Sequence, residues 1–222
     1  MGRVTEARLK ACRGSQNHTL IGNGHFGVDY IVRLLKFWRS LVYGMKKSAL
    51  RLLPHDPAWA GHFADEKQRI IDVANDIALD IEHIGSTSIP RIYAKPILDL
   101  AVMCKECELP TLAEALNRLG YNYRGKYGED KDHYYAVLDR DGVRYCQLHI
   151  YTQQTPDWTC KIKFRDVLRT NDELAAEYSS YKQALAKQGH TKGDYAEIKS
   201  NWLDSFIMKV LAIPTRRISK IV

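Results

Sequence analysis

No stretch of this sequence approaches the roughly 20 uninterrupted apolar residues that a membrane-spanning helix needs. The best candidate, residues 26–43, is broken by Asp29, Arg33, Lys36 and Arg39. Cysteine is scarce as well. Five cysteines, an odd number without a regular framework, do not read as a secreted disulfide scaffold. Cys104 and Cys107 form a single CxxC, but Cys146 and Cys160 lie too far apart to complete a zinc site of the usual spacing. Cys104 also ends an apolar run instead of opening a helix, where a redox thiol would gain its low pKa. Reduced cysteines and a cytoplasmic location are the expectation. The chain has no internal repeat, no low-complexity tract and no GxxxxGK[ST] loop, so it is not a P-loop kinase.

What is present is ordinary globular material, 45% hydrophobic and 27% charged over 222 residues, enough for one domain with a core. The formal charge of +7 invites a nucleic-acid reading, but its location argues otherwise. Residues 1–44 hold seven of the 33 basic residues and only two of the 26 acidic ones, so the rest is within two charges of neutral. Nucleic acid is therefore not the expected partner. Within the basic extension, Ile31, Leu34, Leu35, Trp38, Leu41 and Val42 recur at helical spacing. Three readings compete for it: an interfacial anchor, a targeting segment, or sequence upstream of a true start at Met45. The third is preferred, because Met45-Lys46-Lys47 stands directly before the first domain-like pattern. The expected organisation is an extension over 1–44, a domain over 45–214 and a tail over 215–222.

Asp56-Pro57 predicts a helix start, followed by an apolar set (Trp59, Phe63, Ile70, Val73, Ile77) that suits one buried face. Residues 79–84 alternate as a strand and run into Gly85-Ser86-Thr87-Ser88. Residues 97–103 form a second strand, apolar on both faces except at Asp99. Pro110 opens a helix that Gly120 closes. Residues 133–139 and 143–151 flank Asp141-Gly142, a strong hairpin signal because such a turn needs positive φ. The chain turns helical from Phe164, Thr170 or Asn171 caps a helix to about Lys187, and a last helix spans about 195–211. This order predicts an α+β domain with a mixed sheet and helices packed mainly on one face.

Chemistry concentrates between residues 81 and 101. A glycine and three hydroxyl residues after a strand can turn N–H and O–H donors toward phosphate oxygens. Gly85, Ser86, Thr87 and Ser88 are candidate phosphate ligands, and Lys95 adds a point charge. Asp99, inside a strand, is a carboxylate too costly to bury without a partner. It either faces a cleft or makes a structural bond to Lys95 or to the turn. Arg165 and Arg169, four apart on a predicted helix, are a candidate phosphate clamp, against a solvated basic face. His83 is placed to orient the turn, and His149 shares a strand face with Gln147 and Tyr151.

The stretch HIGSTSIPRIYAKPILDLAV, residues 83–102, resembles the signature of the GrpB family. Similarity continues through LLPHDPAWAGHFADEKQRI before it, and QLHIY, KFRDVLRTNDELAAEYSSYKQALA and YAEIKSNWL after it. The resemblance implies a nucleotidyltransferase-like fold, in which a Gly-Ser turn holds a triphosphate and strand carboxylates hold two Mg²⁺ ions for attack on the α-phosphate. Carried over, Gly85 and Ser86 match the turn and Asp99 the first carboxylate. Ala101 stands where a second acid is usual, and His149 is the best polar candidate near the third position. The resemblance thus implies catalytic roles for Asp99 and His149, and one divalent cation, Mg²⁺ or Mn²⁺, bound by the same two residues. The expected ligand is a nucleotide or phosphorylated small molecule. Two functions are carried forward: a nucleotidyltransferase, and a non-catalytic binding module that has lost its metal cage.

Overall fold

The computed structural model describes residues 43–75, 77, 79–128, 132–189 and 192–213. The readings made for residues 1–42 and for the tail after 213 lie outside the described residues. Strand β1 (Met45–Lys46) is followed by helix α1 (Ala58–Ala74), β2 (Asp80–Ile84), a 3-10 turn (Ser86–Ser88) and β3 (Leu98–Met103). Then come α2 (Leu109–Arg118), β4 (Tyr121–Lys126), β5 (His133–Arg140) and β6 (Val143–Tyr151). Three helices finish the chain: α3 (Pro156–Thr170), α4 (Asp172–Lys187) and α5 (Lys192–Leu211). The domain is α+β around a mixed sheet, as its element order predicted.

The sheet runs β2-β3-β6-β5-β4. β3 and β6 are parallel, with Asp99 beside Gln147 and Ala101 beside His149, and the other pairings are antiparallel. β1 continues the β3 edge, pairing Met45 with Arg144 where β3 has not yet begun. The hairpin between β5 and β6 turns on Asp141 (φ 50°) and Gly142 (φ 74°), the paired positive φ values that match strand twist.

Alternation along the strands builds two unlike faces. Leu98, Leu100, Val102, Leu148 and Ile150 point to one side, where α1 (Trp59, Ile70, Ala74) and α2 (Leu109, Leu112, Leu116) close the main core. The opposite side carries Asp99, Gln147, His149 and Tyr135. It becomes apolar where Ala101, Ile84 and Tyr151 meet Trp158 of α3. Helices α3, α4 and α5 make a second core of their own: Val167, Leu168, Leu174, Tyr178, Phe206 and Val210 enclose Ile89 and Ile92. The loop between the 3-10 turn and β3 is thereby fastened to the helical cluster. Tyr93 N donates to Ser179 Oγ at 2.9 Å as a further tie.

Besides the two-residue β1, two elements differ from the sequence expectation. α3 begins at Pro156 rather than Phe164, with Thr155 Oγ1 accepting from Trp158 N at 3.1 Å as a cap. β4 forms as an edge strand despite Gly125, interrupted by a register shift between Tyr123 and Lys126.

Candidate functional site

β2 ends at Ile84, and Gly85 reverses the chain with φ 68° and ψ −172°. That region of backbone space is open to glycine and almost to nothing else. A Cβ there would lie 2.2 Å from Asp99 Oδ2. Gly85 is therefore required twice, for its dihedrals and for the carboxylate packed against it. In the 3-10 turn that follows, Ser88 Oγ donates to Gly85 O at 2.6 Å, so this hydroxyl serves the bend itself. Thr87 Oγ1 lies 3.0 Å from His83 Nε2, and the His83 ring stacks on Phe63 at 4.7 Å. Burial, with Arg169 and Arg165 nearby, pushes His83 down to about 3, so a neutral imidazole ties β2 to the turn.

Ser86 is placed differently from its neighbours. Its Oγ accepts from Lys182 Nζ at 3.0 Å and lies 3.2 Å from Tyr178 Oη, both on α4. Ser86 and Thr87 open on a cavity of ≈150 Å³ whose walls include Lys95, Asp99 and Gln147. Lys182, Tyr195 and Lys199 complete its polar lining from α4 and α5. The cavity thus gathers three lysines from three segments around the hydroxyls of Ser86 and Thr87 and one carboxylate. Lys95 Nζ lies over the Tyr195 ring at 4.3 Å and Lys182 Nζ over the Tyr178 ring at 4.1 Å. These contacts hold both ammonium groups against aromatic faces.

The charges are tuned by burial and by one another. Lys182 is only 2% exposed, and desolvation brings it down to about 8 even though Tyr178 opposes the shift. Burial would raise Tyr178, but Lys199 and Lys182 outweigh it and lower the phenol to about 8. Lys199 is raised, chiefly by Tyr178. Asp99 is raised by burial, while the amide of Gln147, which donates to Oδ1 at 2.6 Å, and the charges of Lys199, Lys95 and Lys161 limit that rise.

The two arginines do not line the cavity. Arg165 is buried, donating to Glu82 Oε2, to Asp166 Oδ1 at 2.7 Å and to His83 O at 3.0 Å. Arg169 Nε donates to Ser88 O at 2.8 Å. Both guanidinium groups secure the backbone of the bend from behind, a role that planar forks suit. The structure therefore brings Gly85, Ser86, Thr87, Lys95 and Asp99 together and sets Ser88, Arg165 and Arg169 behind them.

His149 lies on the Asp99 face but one row further along. Its Nδ1 is 2.9 Å from His133 Nε2. Asp99 is partnered by Gln147 instead. The resemblance implies a two-cation cage, and the donors here do not suit it. Ala101, at the usual second acid, is 0% exposed beneath Trp158, and among the described residues no group of three His, Cys, Asp or Glu side chains is arranged to hold a metal. Three lysines beside one carboxylate also oppose cation binding before any anion arrives.

Sequence reasoning missed Tyr178, Lys182, Tyr195 and Lys199. A signal was available: the spacing Tyr-x-x-x-Lys occurs on both α4 and α5, which puts each pair on one helical face.

Residues 49–209 match the GrpB protein family. The chain belongs to that family. Among GrpB relatives, the UPF0157 protein BH1888 of Halalkalibacterium halodurans is 31% identical over 168 residues, covering 74% of this chain and 84% of that one. The crystal structure of the conserved protein GrpB from Enterococcus faecalis aligns with a TM-score of 0.66 at 30% identity, over 72% of this chain and 97% of that one. Terminal uridylyl transferase 4 from Trypanosoma brucei with bound dUTP aligns at a TM-score of 0.45 and 13% identity, over 71% of this chain and 53% of that one, too slight a likeness to carry an argument. Among the described residues of this GrpB chain, no helix is long and apolar enough to cross a membrane.

Proposed function

We propose that this GrpB domain binds the phosphates of a nucleotide or another phosphorylated small molecule in the cavity between the Gly85–Ser88 turn and helices α4 and α5. One observation supports this above the rest: Lys95, Lys182 and Lys199 converge on a cavity whose lining holds a single acid, Asp99. An ammonium about 4 Å from a phosphate oxygen gains roughly 4 kcal/mol at an effective dielectric near 20, before desolvation. Three of them counter a polyphosphate, with Ser86 and the turn's N–H groups fixing its orientation. In this reading the lysines supply the counter-charge, and a divalent cation, if one takes part, arrives with its phosphates.

Between the two candidate activities, the geometry favours a binding module over a nucleotidyltransferase. Asp99 stands without a second carboxylate on its strand, and Ala101 is sealed under apolar side chains. An acid introduced there would be buried among Ile84, Tyr151 and Trp158, so it would test stability before it tested transfer.

The experiment is calorimetric titration of tripolyphosphate into the protein with EDTA present. One site per chain is expected, weakened about tenfold or more by Lys199→Gln, as loss of one charge-assisted contact implies. Absence of binding, or binding that requires a divalent cation, contradicts the reading.

A further inference from the structure

The face that carries Asp99 continues beyond the lysine cavity as rows of side chains set by strand register. Asp99, Gln147 and Val137 form one row, and Ala101, His149 and Tyr135 the next. Successive rows on one face are about 6.7 Å apart, so the second begins within one ring's width of the first. Gln147 links them, donating to Asp99 Oδ1 and accepting from Tyr135 Oη at 2.6 Å each.

Tyr127 leans over this second row. Its ring centroid lies 4.8 Å from that of Tyr135, 4.8 Å from His133 and 5.5 Å from His149. Three ring contacts hold it, yet Tyr127 is 45% exposed, which leaves much of an aromatic surface to solvent beside a polar cavity.

The histidines add a directional polar edge. Asp157 Oδ2 lies 3.4 Å from His133 Nδ1, and a carboxylate only accepts, so the His133 proton belongs on that nitrogen. His133 Nε2 then accepts from His149 Nδ1–H across 2.9 Å. This assignment of tautomers leaves His149 Nε2 with a lone pair, ready to accept from a donor on a ring edge.

We propose that Tyr127, Tyr135 and His149 form a stacking subsite for the base of the nucleotide whose phosphates occupy the lysine cavity. The proposal rests on the phosphate reading above and narrows its ligand from any phosphorylated molecule to one with a planar heteroaromatic ring. Stacking on an aromatic face tolerates any base, so purine and pyrimidine nucleotides both gain from it.

Calorimetry on the full chain with tripolyphosphate, ATP and UTP, in EDTA, tests this with Tyr127→Ala and Tyr127→Phe. Tyr127→Ala should weaken ATP and UTP about tenfold and leave tripolyphosphate unchanged, while Tyr127→Phe keeps the wild-type affinities. Equal urea midpoints for the variants and the wild type guard against a folding defect. Unchanged nucleotide affinity in Tyr127→Ala, or an equal fall for tripolyphosphate, overturns the subsite and leaves the phosphate cavity standing. Failure of tripolyphosphate to bind the wild type overturns the cavity and the subsite together.

Discussion

The two faces of β3 and β6 are made by alternate residues of the same strands, yet they are built on opposite terms. One presents Leu98, Leu100, Val102, Leu148 and Ile150 to α1 and α2, dry and closely packed. The other presents Asp99 and Gln147 to an open cavity, and its partners come from a separately cored group of helices. The first face stabilises the fold. The second gathers charge, and the fold carries the cost of burying Lys182 and Asp99. Substitutions should therefore separate the two: stability should fall on one face and affinity on the other.

The largest effect on stability is expected at Leu148, which is fully buried. Leu148→Ala should cost about 2–5 kcal/mol in urea denaturation, with tripolyphosphate affinity per folded molecule unchanged. An altered affinity would mean the faces are coupled. Gly85→Ala sits on the boundary between them. Strain at its dihedrals should cost about 1–3 kcal/mol, and the new Cβ must displace the Asp99 carboxylate. Both stability and phosphate affinity should drop, and a variant losing neither would show that the bend is not held against Asp99.

Lys182→Met should show the reverse of Leu148→Ala. Phosphate affinity should fall tenfold or more, while stability shifts by about 1 kcal/mol or less, because relief of the burial penalty offsets the bonds lost to Ser86 and Tyr93. The pH dependence follows from the same residue. Lys182 falls from 10.5 to about 8 on folding, so between those values the unfolded chain binds more protons. Its contribution to stability therefore rises with pH across that window and is lost as pH falls through about 8, a trend visible as wild type minus Lys182→Met. Phosphate affinity should move the other way, declining above about pH 8 as Lys182 loses its proton and Tyr178 gains a negative charge. A flat affinity profile from pH 7 to 9 would remove Lys182 from the ligand's surroundings.

The sequence made the local parts of this arrangement legible. Asp141-Gly142 marked its hairpin because both residues must adopt positive φ, and Asn171 marked α4 because its Oδ1 caps Leu174 N at 3.0 Å. The turn and Asp99 could be paired because they lie within 15 residues of each other on adjacent strands. The start of α3 was also written in Thr155-Pro156-Asp157, a cap, a proline and an acid in order, but apolar spacing that becomes clear only later hid it. β1 has two residues and β4 contains a register shift, so neither shows a sustained alternation. Lys182 and Lys199 were passed over for another reason, since the Tyr-x-x-x-Lys spacing says only that each pair shares a helical face. A lysine on a helix reads as surface, and only the docking of α4 and α5 beside the turn converts these two into cavity walls. Arg165 and Arg169 show the converse: their spacing suggested a clamp, but Glu82, Asp166 and backbone carbonyls occupy them.

A crystal structure of the protein soaked with tripolyphosphate tests the central claim most directly. The account predicts a phosphate group within hydrogen-bond distance of Ser86 Oγ and of at least two among Lys95, Lys182 and Lys199. Phosphates seated on Arg165 and Arg169, or a cavity unchanged at saturating ligand, would contradict it.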